Sequence, residues 1–160
     1  MENEQYFEVD HLTKFFPVKK RGQFFGKPIY VHAVDDVQFT VRKGKTYGVV
    51  GESGCGKTTL ARMIMHLEKP TSGRMLFKGQ DITLFNGKQM KALRRQMQMV
   101  FQDPFGSLNP VRTIRNIVAE PVRVHHIFQN RQDEKIKVQE MLETVGLSSS
   151  DEMLEKRPGQ

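Results

Sequence analysis

Apolar and polar positions alternate loosely over Tyr6-Phe7-Glu8-Val9-Asp10-His11-Leu12, which predicts a first β-strand. Pro17, after Phe15-Phe16, has no N–H to give a ladder and is expected to end it. From Val18 to Tyr30 the chain is basic and carries Gly22 and Gly26, so residues 18–30 read as a protruding hairpin or loop with a solvated face. Strand character resumes over Val31–Val41, with Val34, Val37, Phe39 and Val41 apolar, and Arg42-Lys43-Gly44-Lys45 is a turn. A short apolar run, Thr46-Tyr47-Gly48-Val49-Val50, predicts another strand, and helix-compatible sequence follows from Thr59.

Glu68-Lys69-Pro70-Thr71-Ser72-Gly73 breaks that helix, Arg74–Phe77 is a short strand, and Lys78-Gly79-Gln80-Asp81 turns again. Lys88–Arg95 suits a basic helix, and the apolar content of Gln98-Met99-Val100-Phe101 predicts a buried strand. Thr113 can cap a helix from Ile114 toward Glu120, where Pro121 interrupts it. Asn130 can cap a helix over Arg131–Val145, with Asp133 and Glu134 in its first turn and Gly146 as its stop. Val138, Met141, Leu142 and Val145 then form one apolar stripe. The expected organisation is a strand-rich part over residues 1–102 and a helical part over residues 103–160.

Between the Thr46–Val50 run and the following helix lies Gly51-Glu52-Ser53-Gly54-Cys55-Gly56-Lys57-Thr58, the pattern GxxxxGK[ST] in its strand–loop–helix context. Such a loop turns its backbone N–H groups inward to meet a phosphate chain at the positive end of the helix. Lys57 is placed to neutralise the outer phosphates, and Thr58 to hold Mg²⁺ through its hydroxyl. Gly51, Glu52, Ser53, Gly54, Cys55, Gly56, Lys57, Thr58 and Thr59 are therefore candidate contacts for a nucleoside triphosphate.

Composition narrows the setting without changing that reading. The 160 residues are 38 % hydrophobic and 27 % charged, and no apolar run approaches the roughly 20 residues that span a bilayer. The polar start Met1-Glu2-Asn3-Glu4-Gln5 is unlike a signal peptide. A single cysteine, Cys55, excludes a disulfide within the chain and fits a reducing compartment. A net charge of +7 could serve nucleic acid or an anionic membrane surface, but nucleotide binding plus scattered solvated lysines is the plainer explanation, and without a recognition motif no nucleic-acid partner is expected.

A phosphate loop alone fits kinases, GTPases and transport ATPases alike. Here it begins only at Gly51, behind two strands, with Phe15-Phe16 upstream and Met99-Val100-Phe101-Gln102-Asp103-Pro104 downstream. Together with His32-Ala33-Val34-Asp35-Asp36-Val37 and Gln102-Asp103-Pro104-Phe105-Gly106-Ser107-Leu108-Asn109-Pro110, these segments resemble the ATP-binding subunits of ABC transporters, specifically the oligopeptide/dipeptide import branch. The resemblance runs from about Phe7 to about Leu147. It implies an α/β P-loop NTPase fold of the ABC type, with an antiparallel β layer at the N-terminus and the start of a helical subdomain.

The resemblance also assigns roles. Phe16 falls where the family stacks an aromatic ring on adenine, although Phe15 or Phe16 packing into the core is the competing explanation. Gln102 matches the glutamine that reaches Mg²⁺ and the attacking water, against the alternative of a strand-end amide facing solvent. Lys57 and Gln102 are thus the expected catalytic groups, Thr58 and Gln102 the expected Mg²⁺ contacts, and ATP with Mg²⁺ the expected ligands. The implied partners are membrane-spanning permease subunits, a second ATP-binding subunit and, indirectly, an extracytoplasmic peptide-binding protein. The implied location is the cytoplasmic face of the cell membrane, as a peripheral subunit.

The family pattern continues beyond Leu147 to an LSGGQ signature, a Walker B aspartate, a catalytic glutamate and a switch histidine. Residues 148–160 contain none of these. The expectation is the N-terminal part of a peptide-importer ATPase with an incomplete core, binding ATP but inactive in hydrolysis alone. The alternative is an inactive ATP-binding fragment or relic without transport activity.

Overall fold

A computed structural model describes residues 5–18 and 29–160, with backbone only at positions 104 and 105. It divides into two units, Met1–Met99 and Val100–Gln160. In the first, β1 (Gln5–Val18) and β2 (Ile29–Arg42) form a long antiparallel pair, and β3 (Ser72–Phe77) and β4 (Gln80–Asp81) extend it in the order β2-β1-β3-β4. Lys78 and Gly79 both have positive φ (53° and 77°), which is the type I′ turn that joins Phe77 to its partner Gln80. The pairing of β1 with β2 continues to Val18↔Ile29; the body of the hairpin expected at 18–30 lies outside the described residues.

The loose alternation in β1 has a structural cause. The pairing slips between Val9 and Leu12, where His11 adopts φ 48°, and this bulge returns Leu12 to the face that carries Phe7 and Val9. That face, with Val34, Met75, Phe77 and Ile82, buries Leu60 and Met63 of α1 (Lys57–Ile64) and Met90 and Leu93 of α2 (Gly87–Leu93). A capping box starts α2: Asn86 Oδ1 accepts from the N–H groups of Lys88 and Gln89, while Gln89 Oε1 accepts from Asn86 N–H.

Three expectations about strands need correction. β1 does not end before Pro17, which pairs with Tyr30. The backbones of Thr13 and Phe15 face the 71–72 segment, through Thr71 N–H to Thr13 O and Phe15 N–H to Thr71 Oγ1. By alternation the missing N–H of Pro17 faces that same side, away from β2, so no β1–β2 bond is lost. Thr46–Val50 and Gln98–Phe101 carry no regular secondary structure and pair with no strand among the described residues, and Val50 and Val100 are 96 % and 92 % exposed. A strand exists only with a hydrogen-bonded neighbour, and neither run has one among the described residues.

The second unit holds α3 (Pro104–Ser107), α4 (Ile114–Val124), α5 (Arg131–Thr144) and α6 (Asp151–Glu155). Its core is Ala119, Val138, Leu142 and Leu154, flanked by Ile114, Val118 and Phe128. Thr113 and Asn130 cap α4 and α5 as expected, but α4 runs through Pro121 to Val124. Arg123, beyond Pro121, holds that last turn: its Nε and Nη2 donate to Glu134 Oε2 and Oε1 at 2.6 and 2.5 Å, and Arg115 in the first turn of α4 adds a third bond to Glu134 at 3.3 Å. The apolar stripe of α5 is narrower than expected. Glu134, Val138 and Leu142 face inward, whereas Met141 and Val145 are exposed. Gly146 (φ 74°) closes α5 in a Schellman motif, with Gly146 N–H to Glu143 O and Leu147 N–H to Leu142 O, both 2.9 Å.

The Arg123 guanidinium holds the Glu134 carboxyl below its ordinary value of 4.5. A depressed carboxylate contributes stability above that value and loses it as pH falls through the folded-state value. Glu134→Gln is therefore expected to cost about 1–2 kcal/mol near neutral pH, a figure reduced because Arg123 is partly exposed. Thermal unfolding at about pH 7 and about pH 3 checks this: the gap between variant and parent should narrow at the lower pH.

Candidate functional site

The phosphate loop lies in the first unit, between the unpaired run and α1. Gly56 is the N-cap of α1 with φ 96°, no side chain caps the helix, and no acidic residue lies in its first turn. The first helical bond is Leu60 N–H to Gly56 O at 2.9 Å, so the N–H groups of Lys57, Thr58 and Thr59 precede it and remain for an anion. The ammonium of Lys57 folds back into the loop, donating to Gly51 O and Glu52 O at 2.6 Å each and lying 3.4 Å from Cys55 Sγ. Two neutral carbonyls thus hold a cation whose stronger partners would be phosphate oxygens.

The glycine requirement at position 56 is tertiary as well as conformational. A Cβ there would stand 2.0 Å from Ala33 O. Ala33 is the extra residue of a bulge in β2, since Lys14 pairs with Val34 and Phe15 with His32, so its backbone is left over from the β1 ladder. The sheet therefore abuts the loop through a bulged carbonyl. Sequence reasoning missed Ala33, because an alanine in a strand carries no chemical signal.

The structure brings Gly51, Glu52, Cys55, Gly56 and Lys57 together in the loop, leaving Glu52, Ser53, Gly54, Cys55 and Thr58 exposed. Thr58 occupies the second position of α1, among the free N–H groups. One hydroxyl oxygen suits Mg²⁺, a hard cation that binds through few protein oxygens and keeps phosphate and water ligands. Phe15 and Phe16 separate in role. The ring of Phe15 packs on that of His32 with centroids 4.0 Å apart, while Phe16 is half-buried opposite Val31. Gln102 belongs to the second unit, exposed in a bend, with Asp103 Oδ1 next to it accepting from Gly106 N–H at 3.0 Å.

With this geometry in hand, comparison with known proteins is specific. Residues 34–160 match the model of a family described as ABC transporter. The oligopeptide transport ATP-binding protein AppF of Bacillus subtilis is 48 % identical over 148 residues, covering 92 % of this chain and 44 % of AppF. The dipeptide transport ATP-binding protein DppF of Haemophilus influenzae is 44 % identical over 147 residues, covering 91 % of this chain and 44 % of DppF. The chain thus spans less than half the length of these relatives. Among solved structures, the ATP-binding cassette MJ0796, a dimer in a post-hydrolysis state bound to ADP and Pi, superposes with a TM-score of 0.73 at 22 % identity over 96 % of this chain and 62 % of that one. CbiO1 from Clostridium perfringens, part of the ABC transporter complex cbiONQ, gives 0.65 at 22 % identity, over 96 % of this chain and 55 % of that one.

Proposed function

The chain belongs to the ABC transporter family, and on that premise we propose that it is the N-terminal part of an ATP-binding subunit energising import of oligopeptides or dipeptides. The observation that carries ATP binding is the loop itself, a cradle of carbonyls and free N–H groups at an uncapped helix start with Lys57 Nζ folded inside it. In this reading Lys57 exchanges the Gly51 and Glu52 carbonyls for phosphate oxygens, and the N–H groups of Lys57, Thr58 and Thr59 orient the chain of phosphates. Thr58 supplies one oxygen to Mg²⁺, which neutralises phosphate charge when bound. Phe16 stacks on the base, and Gln102 offers its amide to the metal and to water.

Peptide transport is supported by relatives whose names state it, at 44–48 % identity across nine-tenths of this chain. A second ATP-binding subunit is supported by the dimeric cassette MJ0796. No helix of the described residues is long and apolar enough to cross a membrane. Peripheral attachment at the cytoplasmic face, through permease subunits, is supported by the transport ATP-binding relatives. For residues 1–160 taken alone the proposed reading is ATP binding without turnover, supported by a match that spans only 44 % of AppF.

Cys55 gives the direct test. Its thiol is exposed in the loop beside Lys57, so phosphates bound there should cover it. MgATP is expected to slow maleimide labelling of Cys55, with a half-effect at the concentration that displaces a fluorescent ATP analogue. Unchanged labelling at saturating MgATP would show that this loop is not where phosphates bind.

A further inference from the structure

We propose that Lys14 is a positioning residue for the base: its ammonium covers one face of the Phe16 ring and leaves the opposite face for adenine. The inference rests on the base-stacking reading of Phe16. Lys14 and Phe16 are two apart on β1 and so project from the same side of the strand. Lys14 Nζ lies 4.8 Å from the ring centroid. The same nitrogen is 2.6 Å from Glu68 Oε1 and 2.7 Å from Lys69 O, and the side chain is only 13 % exposed. A lysine held this tightly is a fixture rather than a solvated surface charge.

Two consequences follow for the ring. Its position is set before a ligand arrives, so less side-chain freedom is lost when a base stacks on it. A cation on one face draws π density toward itself, which leaves the other face less negative and better suited to an electron-rich purine. The ring of Phe15 is engaged by a different partner, His32, while Lys14 sits over Phe16. The clamp also ties base and phosphate ends to one element: α1 starts at Lys57 in the phosphate loop, and the turn after it supplies Glu68 and Lys69.

The test compares Lys14→Met, Lys14→Arg, Glu68→Gln and Phe16→Ala in the full chain, titrated with MgATP and with magnesium tripolyphosphate, which has no base. Lys14→Met is expected to weaken MgATP about three- to tenfold and leave tripolyphosphate unchanged. Lys14→Arg should restore most of the loss, and Glu68→Gln, which keeps the charge but loosens it, should show a smaller loss of the same kind. If Lys14→Met compromises folding, the Glu68→Gln and Lys14→Arg pair carries the comparison. Equal losses for both ligands would make Lys14 a structural clamp and overturn the proposal, as would wild-type MgATP affinity in Lys14→Met when Phe16→Ala is impaired. If Phe16→Ala itself leaves the MgATP-to-tripolyphosphate ratio unchanged, the reading of Phe16 fails first and the proposal with it.

Discussion

Replacing Lys57 with alanine is expected to weaken MgATP binding by about 100-fold or more, while Lys91→Ala on the exposed face of α2 leaves it unchanged. Hydrogen bonds to charged partners contribute about 1.5–3 kcal/mol each, and two of them correspond to about two orders of magnitude or more in affinity. Lys57 already directs its ammonium at two loop carbonyls, so little rearrangement separates the present geometry from one that engages phosphates. Nothing else in the first turn takes over its charge. Lys91 tests whether the net charge of +7 attracts ATP without a specific cradle. Titration with a fluorescent ATP analogue distinguishes the cases: equal affinities for the two variants would remove the loop from the site.

The second large effect is expected at Gly56. Alanine there meets a left-handed backbone at φ 96°, which costs about 1–2 kcal/mol. It also meets Ala33 O at 2.0 Å, and backbone cannot rotate away as a side chain can. Adding about 1–3 kcal/mol for overpacking gives a loss of about 2–5 kcal/mol, a large share of a domain's net stability of about 5–15 kcal/mol. Gly54→Ala is the control, since φ is 83° but a Cβ has nothing within 4 Å. Melting temperatures should fall clearly further for Gly56→Ala than for Gly54→Ala, and MgATP binding should be lost with the former. Equal destabilisation would mean that the Ala33 contact is not what demands glycine.

Sequence was sufficient at Lys57 and only in part at Gly56. Lys57 was identifiable because a phosphate loop is local: eight consecutive residues and the helix behind them create the site by backbone geometry alone. The same holds for helix ends. Thr113, Asn130 and Gly146 cap or close α4 and α5 through bonds that span only two to five residues, so residue type predicts them. The phosphate-loop helix was legible for the same reason, whereas the antiparallel layer of an ABC-type α/β fold came from the family resemblance and not from local residues.

Tertiary structure decided what depends on a distant partner. Thr46–Val50 and Gln98–Phe101 have strand-like residues, yet pairing requires a neighbour that periodicity cannot supply. Pro17 stays in β1 because its missing N–H faces away from β2, a direction fixed by the contacts of Thr13 and Phe15 with Thr71. Met141 and Val145 belong to the stripe by spacing but not by burial, because α4 and α6 cover only the face carrying Val138 and Leu142. Only the pairing of β1 with β2 separates Phe15, taken by His32, from Phe16, and only the bulge at Ala33 gives Gly56 its second reason to lack a side chain. Local chemistry is written in neighbouring residues; register, burial and close approach arise between residues that the chain keeps far apart until it folds.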